Sequence, residues 1–71
     1  MMAGDFIRVY EKPLTDELIE GVAALVKFVG VYDGDHERWV VRFRHEHHCY
    51  ERIVHPRNLA GGRSRSLVRT S

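Results

Sequence analysis

Residues 21–32 read Gly21-Val22-Ala23-Ala24-Leu25-Val26-Lys27-Phe28-Val29-Gly30-Val31-Tyr32, and their periodicity decides between two folds. As a strand, this stretch puts Val22, Ala24, Val26 and Phe28 on one face. It also reads as the second half of a helix over residues 15–29. Thr15 is then the N-cap, Asp16 and Glu17 fill the first turn, and Gly30 is the stop. Leu18, Val22, Leu25, Val26 and Val29 form the apolar stripe of that helix. Periodicity alone leans towards the helix. Against it stand Gly21 in the interior, which costs about 1 kcal/mol relative to alanine, and the β-branched valines at 22, 26, 29 and 31. The strand gives an all-β fold; the helix gives an α+β fold of order β-α-β-β. We expect the strand, with a short helical turn near residues 15–18 compatible with either.

The flanking segments read more simply. Residues 5–11 (DFIRVYE) form a first strand in which Phe6, Arg8 and Tyr10 alternate with Ile7 and Val9, and Pro13 ends it. Asp33-Gly34-Asp35 is a turn by composition. Residues 37–44 (ERWVVRFR) are the clearest strand, with Trp39, Val41 and Phe43 on one face and Arg38, Val40, Arg42 and Arg44 on the other. Residues 45–49 are a polar tip, residues 50–55 (YERIVH) a fourth strand, and residues 56–59 a tight turn. Residues 61–71 are rich in glycine, serine and arginine, and serve as a tail or, through residues 66–69, as a short closing strand. The whole reads as one domain over residues 1–60 followed by that tail, without internal repeats.

The order of these pieces resembles SH3-like barrels, including Tudor-type modules. Ile53-Val54-His55-Pro56-Arg57-Asn58-Leu59 resembles the SH3 ending, in which a hydrophobic residue, proline, any residue and asparagine lead into a helical turn before the last strand. The wider pattern of Ile7-Arg8-Val9-Tyr10-Glu11, Glu20-Gly21 with Leu25-Val26, and Glu37 through Phe43 is similar to small uncharacterised proteins of bacteria and their phages. The resemblance covers residues 5–60 and implies a five-stranded SH3-like barrel. The chain lacks the acidic-aromatic start of true SH3 domains, so polyproline binding is not implied.

Bulk properties bound the function. The 71 residues are 44% hydrophobic and 30% charged, ordinary for a globular domain and wrong for a disordered one. No apolar run approaches the ~20 residues that cross a bilayer, and residues 1–5 lack the basic start of a signal peptide. One cysteine, Cys49, excludes an internal disulfide and fits the reducing cytoplasm. No cofactor, membrane partner or enzymatic activity is expected. Residues 1–37 hold three basic against eight acidic side chains, a balance of −5; residues 38–71 hold eight arginines against Glu46 and Glu51, a balance of +6.

That asymmetry singles out the arginines. Arg38, Arg42 and Arg44 project from one strand face, and Arg52, Arg57 and the tail arginines 63, 65 and 69 extend the patch. Guanidinium forks suit phosphate, and Tyr10, Tyr32 or Tyr50 offer stacking platforms for bases. The competing expectation is a solvated face whose arginines pair with Glu11, Glu37 or Glu51. His45, His47 and Cys49 alternate and would share one face of an extended strand, a weak metal-ligand set with His36, His48 and His55 nearby. A structural zinc site draws its ligands from two separated clusters, and here there is one. Trp39 shares its face with Val41 and Phe43 and belongs to the core. Cys49 and His48 are adjacent, so on a strand they diverge and form no nucleophile pair. Asp16, Glu17 and Glu20 make a solvated acidic loop.

The expected function is a non-enzymatic binding module that contacts nucleic acid, or a nucleic-acid-associated protein, through its arginine face. The alternative is a protein–protein adaptor or inhibitor of mobile-element origin, or a homo-oligomer formed through exposed strand edges.

Overall fold

The computed structural model describes residues 1–60. The chain forms β1 (Phe6–Lys12), β2 (Glu17–Asp33), β3 (His36–Phe43) and β4 (Tyr50–Val54), then a 3₁₀ turn (Pro56–Asn58). The strands make one antiparallel sheet in the order β1-β2-β3-β4, curled into a half-barrel. The all-β expectation holds. The helix over residues 15–29 does not exist: residues from Glu17 onward belong to β2. Nor is there a helical turn near residues 15–18, where Asp16 and Leu18 have φ of 57° and 61°, the left-handed region.

The geometry of β2 explains why its periodicity resembled a helix. At 17 residues it is longer than an ordinary strand and serves two ribbons. Its first half pairs with β1, from Lys12↔Glu17 to Phe6↔Ala24. Its second half pairs with β3, where the register slips after Leu25, after Phe28 and after Val31. Each slip adds one residue, so the positions opposite β3 core-side residues fall at Leu25 (Val41), Phe28 (Trp39) and Val31 (Glu37). The spacing becomes three, near the helical period, although the backbone is extended. Repeated bulges also raise the local twist, which curls the ribbon.

The core is Ile7 and Val9 from β1, Ala23 and Leu25 from β2, Trp39 and Val41 from β3, and Val54 from β4. The shared face proposed for Val22, Ala24, Val26 and Phe28 is therefore not the core face at its start; Ala23 and Leu25 are buried instead. Each fully buried Ile, Leu or Val side chain contributes about 1.5–3 kcal/mol. Gly21 lies opposite Val9 on this face with φ of 155°. A Cβ there would stand 3.3 Å from the Phe43 ring, so the residue's bareness lets Phe43 cover the core's end.

The described residues form four strands, not the expected five. In place of a fifth, Leu59 forms a single bridge with Ile7, and the Ala60 amide donates to the Phe6 carbonyl at 2.8 Å. The closing strand suggested at residues 66–69 lies outside the described residues. Among the described residues no helix is long and apolar enough to cross a membrane.

Candidate functional site

Cross-strand register places side chains on the outer face in rows. Phe6, Ala24 and Arg42 are successive partners across β1, β2 and β3, and Arg8 is the partner of Val22. Arg44 follows Arg42 by two positions just beyond β3, with its guanidinium carbon 6.0 Å from the Phe6 ring centroid. Ala24 and Val22 are short and leave a shallow floor beside the exposed Phe6 ring, with Arg42 and Arg44 on its β3 side and Arg8 on its β1 side, where the Arg8 Nη2 donates to the Arg57 carbonyl at 3.4 Å. Lys27, opposite Val40, continues the same face along β2. None of these four cations makes an ion pair among the described residues.

The other candidate arginines are engaged. Arg38 shares the outer face, but its Nη1 lies 3.6 Å from Glu51 Oε1 and its guanidinium stacks 5.4 Å over Tyr32. Arg52 lies opposite Trp39, which puts it on the core side of β4. Its Nε and Nη2 grip both oxygens of Glu20 at 2.8 Å, and it stacks 5.1 Å over Tyr50. Arg57, in the 3₁₀ turn, donates to Asp16 Oδ2 at 2.7 Å, and Asn58 Nδ2 donates to Asp16 Oδ1 at 3.1 Å. Arg52 and Arg57 therefore do not extend the row of Arg42 and Arg44. Their partners come from the loop read as solvated acid, and among the described residues the expected partners Glu11 and Glu37 make no ion pair. Glu37 instead accepts from the Trp39 indole at 2.8 Å. Arg8, Lys27 and Phe6 are the members that sequence reading missed. The alternation of Phe6, Arg8 and Tyr10 was visible, but not the register that sets Arg8 beside the β3 arginines.

An open groove of about 570 Å³ adjoins the basic face at Arg44. Phe43 and Tyr50, with ring centroids 6.0 Å apart, lie along it, and its charged lining is balanced, Glu20 and Glu46 against Arg44 and Arg52. The Tyr50 hydroxyl donates to Glu46 at 2.9 Å, and that carboxylate raises the phenol above its ordinary pKa.

The set His45, His47 and Cys49 has no strand to align it. These exposed residues lie in the β3–β4 connection, where His45 has a φ of 64°. The described residues contain no group of three His, Cys, Asp or Glu able to hold a metal. The histidines that do meet are His36 and His55, with ring centroids 4.8 Å apart. His55 Nδ1 accepts from the Arg57 amide at 3.0 Å and caps the 3₁₀ turn. Trp39 is buried as expected.

Two carboxylates give the fold a defined acid response. Hydrogen bonding by Arg57 lowers the Asp16 pKa, and hydrogen bonding by Arg52 lowers that of Glu20. A carboxyl depressed on folding adds stability above its unfolded value, and the gain disappears as pH falls through the folded value. Melting temperature should therefore hold as pH falls to the ordinary glutamate value of 4.5 and drop below it. Glu20→Gln should flatten part of that drop. An unchanged acid profile in the variant would show that the Arg52–Glu20 clamp contributes nothing to folding.

Comparison with protein-family models, curated proteins and solved structures finds no match to the chain.

Proposed function

We propose that the protein is a non-enzymatic nucleic-acid-binding module, and that Arg8, Arg42 and Arg44 track the phosphates of a single strand across the outer face of β1, β2 and β3. The observation that carries this reading is the placement of three guanidinium groups on one face, with no carboxylate in ion-pair range among the described residues. Guanidinium groups that already hold carboxylates would exchange one anion for another. Arg42 and Arg44, exposed to solvent, and Arg8, held only by a long hydrogen bond to the neutral Arg57 carbonyl, gain from phosphate and release its counterions. Phe6, in the middle of the patch, offers a ring to a base, and base–aromatic stacking is tolerant of sequence. The fold reading that accompanies this is an SH3-like barrel. The 3₁₀ turn followed by the Ile7–Leu59 bridge supports it.

Amide-proton NMR titration with short mixed-sequence single-stranded DNA and RNA tests the reading. Shifts should cluster at Phe6, Arg8, Ala24, Arg42 and Arg44 and spare Arg57. With three phosphates neutralised, affinity should fall roughly 20-fold between about 50 and 200 mM salt, from a slope of ~0.7 per phosphate. No shifts at the lower salt would remove nucleic acid as the ligand.

A further inference from the structure

β1 covers one edge of β2 only as far as Leu25, where the Gly4 amide donates to the Leu25 carbonyl at 2.8 Å and the Leu25 amide to Asp5 at 2.8 Å. Beyond that point β2 runs on to Asp33 with β3 on one side and, among the described residues, no strand on the other. Val26, Phe28, Val29, Val31 and Tyr32 along this stretch are all large apolar side chains left exposed, Val31 at 70%. An open edge with apolar side chains is a template for another strand.

The sequence of that edge is self-complementary. Lys27-Phe28-Val29-Gly30-Val31-Tyr32-Asp33, folded back on itself about Gly30, sets Lys27 against Asp33, Phe28 against Tyr32 and Val29 against Val31. The bulges preserve the match at its centre and at its charged ends. Lys27, Gly30 and Asp33 pair with Val40, Arg38 and His36, so all three lie on the outer face at a spacing of three. Antiparallel pairing about Gly30 therefore brings outer-face residues opposite outer-face residues. Neither Lys27 nor Asp33 makes an ion pair among the described residues.

Gly30 itself is unexplained by the described residues. Its φ is not positive, and a Cβ placed on it would meet nothing within 4 Å. A glycine inside a strand costs about 0.5–1 kcal/mol relative to alanine, and without a local need it marks the approach of another backbone. Here it stands at the centre of the self-complementary segment.

We propose that the open edge of β2 from Lys27 to Asp33 pairs antiparallel, about Gly30, with the same edge of a second copy of this chain. The two half-barrels then share one continuous sheet, and each Lys27 meets the partner's Asp33. This inference is independent of phosphate binding and is tested without nucleic acid.

Sedimentation at low salt reads it directly. The chain should show a concentration-dependent dimer, with a dissociation constant on the order of 10–100 μM, as for a small interface. Lys27→Asp and Asp33→Lys should each weaken self-association roughly tenfold, because each makes two like-charge contacts across the two-fold axis. An equimolar mixture of the two variants should restore dimers, since every Asp then faces a Lys. Gly30→Glu, which places two carboxylates on the axis but faces Arg38 within its own chain, should remain folded and monomeric. A wild-type chain that stays monomeric up to about 1 mM overturns the proposal. So does a dimer indifferent to these substitutions, or a mixture that fails to restore it.

Discussion

Trp39→Ala should leave much of the chain unfolded at 37 °C. Trp39 is only 5% exposed, and its ring meets the edge of Phe28 at a centroid distance of 5.6 Å. It lies in register with Phe28 on one side and Arg52 on the other, so it bridges the β2–β3 ribbon and β4. Truncating a buried tryptophan to alanine costs about 3–5 kcal/mol. A domain of 71 residues has roughly 3.5–10 kcal/mol in total, at about 0.05–0.15 per residue. The loss therefore consumes more than a quarter of the stability at the least, and all of it at the lower end of that range. Trp39→Phe should cost much less, since the ring contact survives and only the indole hydrogen bond to Glu37 is lost. Urea denaturation followed by far-ultraviolet circular dichroism checks both. Equal midpoints for wild type and Trp39→Ala would mean that the core is organised elsewhere.

The second large effect is on binding. Reversing all three charges in an Arg8→Glu, Arg42→Glu, Arg44→Glu variant should weaken single-strand affinity by roughly a hundredfold or more at about 50 mM salt and erase its salt dependence. Arg42 and Arg44 are exposed, Arg8 is half-buried, and none pairs with a described carboxylate, so the fold should survive. Arg57→Ala is the control. It removes the Asp16 contact and should lower the melting temperature while leaving affinity within about twofold. Fluorescence anisotropy with a labelled oligonucleotide separates the cases. If Arg57→Ala weakens binding as much as the triple reversal does, the outer face has no special role.

β1, β3, β4 and the turn at Pro56 were legible in the sequence because each obeys a single period or carries a turn residue with one conformation. Trp39 and Val41 fall on the buried face that alternation requires. β2 was harder for a definite physical reason. Its three register slips turn a period of two into a period of three, and hydrophobic spacing alone does not separate that from a helix. The candidate site was legible strand by strand and not across strands. Arg42 and Arg44 come from the one strand whose alternation was clear. Arg52 follows the same arithmetic within β4, but its pairing with Trp39 sends it to the opposite face of the sheet. Arg8 needed β2 to be placed before its proximity to Arg42 had meaning. Glu20 and Asp16 read as solvated acids because their partners, Arg52 and Arg57, lie 32 and 41 residues away.

The bridge between Ile7 and Leu59 has a kinetic consequence. It joins residues near the two ends of the described chain, so it closes a loop that contains every other strand. Loop-closure entropy makes such a contact costly until the intervening hairpins are in place. The β2–β3 hairpin, with only Gly34 and Asp35 between its strands, is the local event that can precede it. Closure at Leu59 then belongs after the rate-limiting barrier, and Leu59→Ala should speed unfolding while leaving the refolding rate nearly unchanged. Stopped-flow tryptophan fluorescence through Trp39 reads both limbs. A refolding rate that falls in step with stability would place the closing contact inside the nucleus instead.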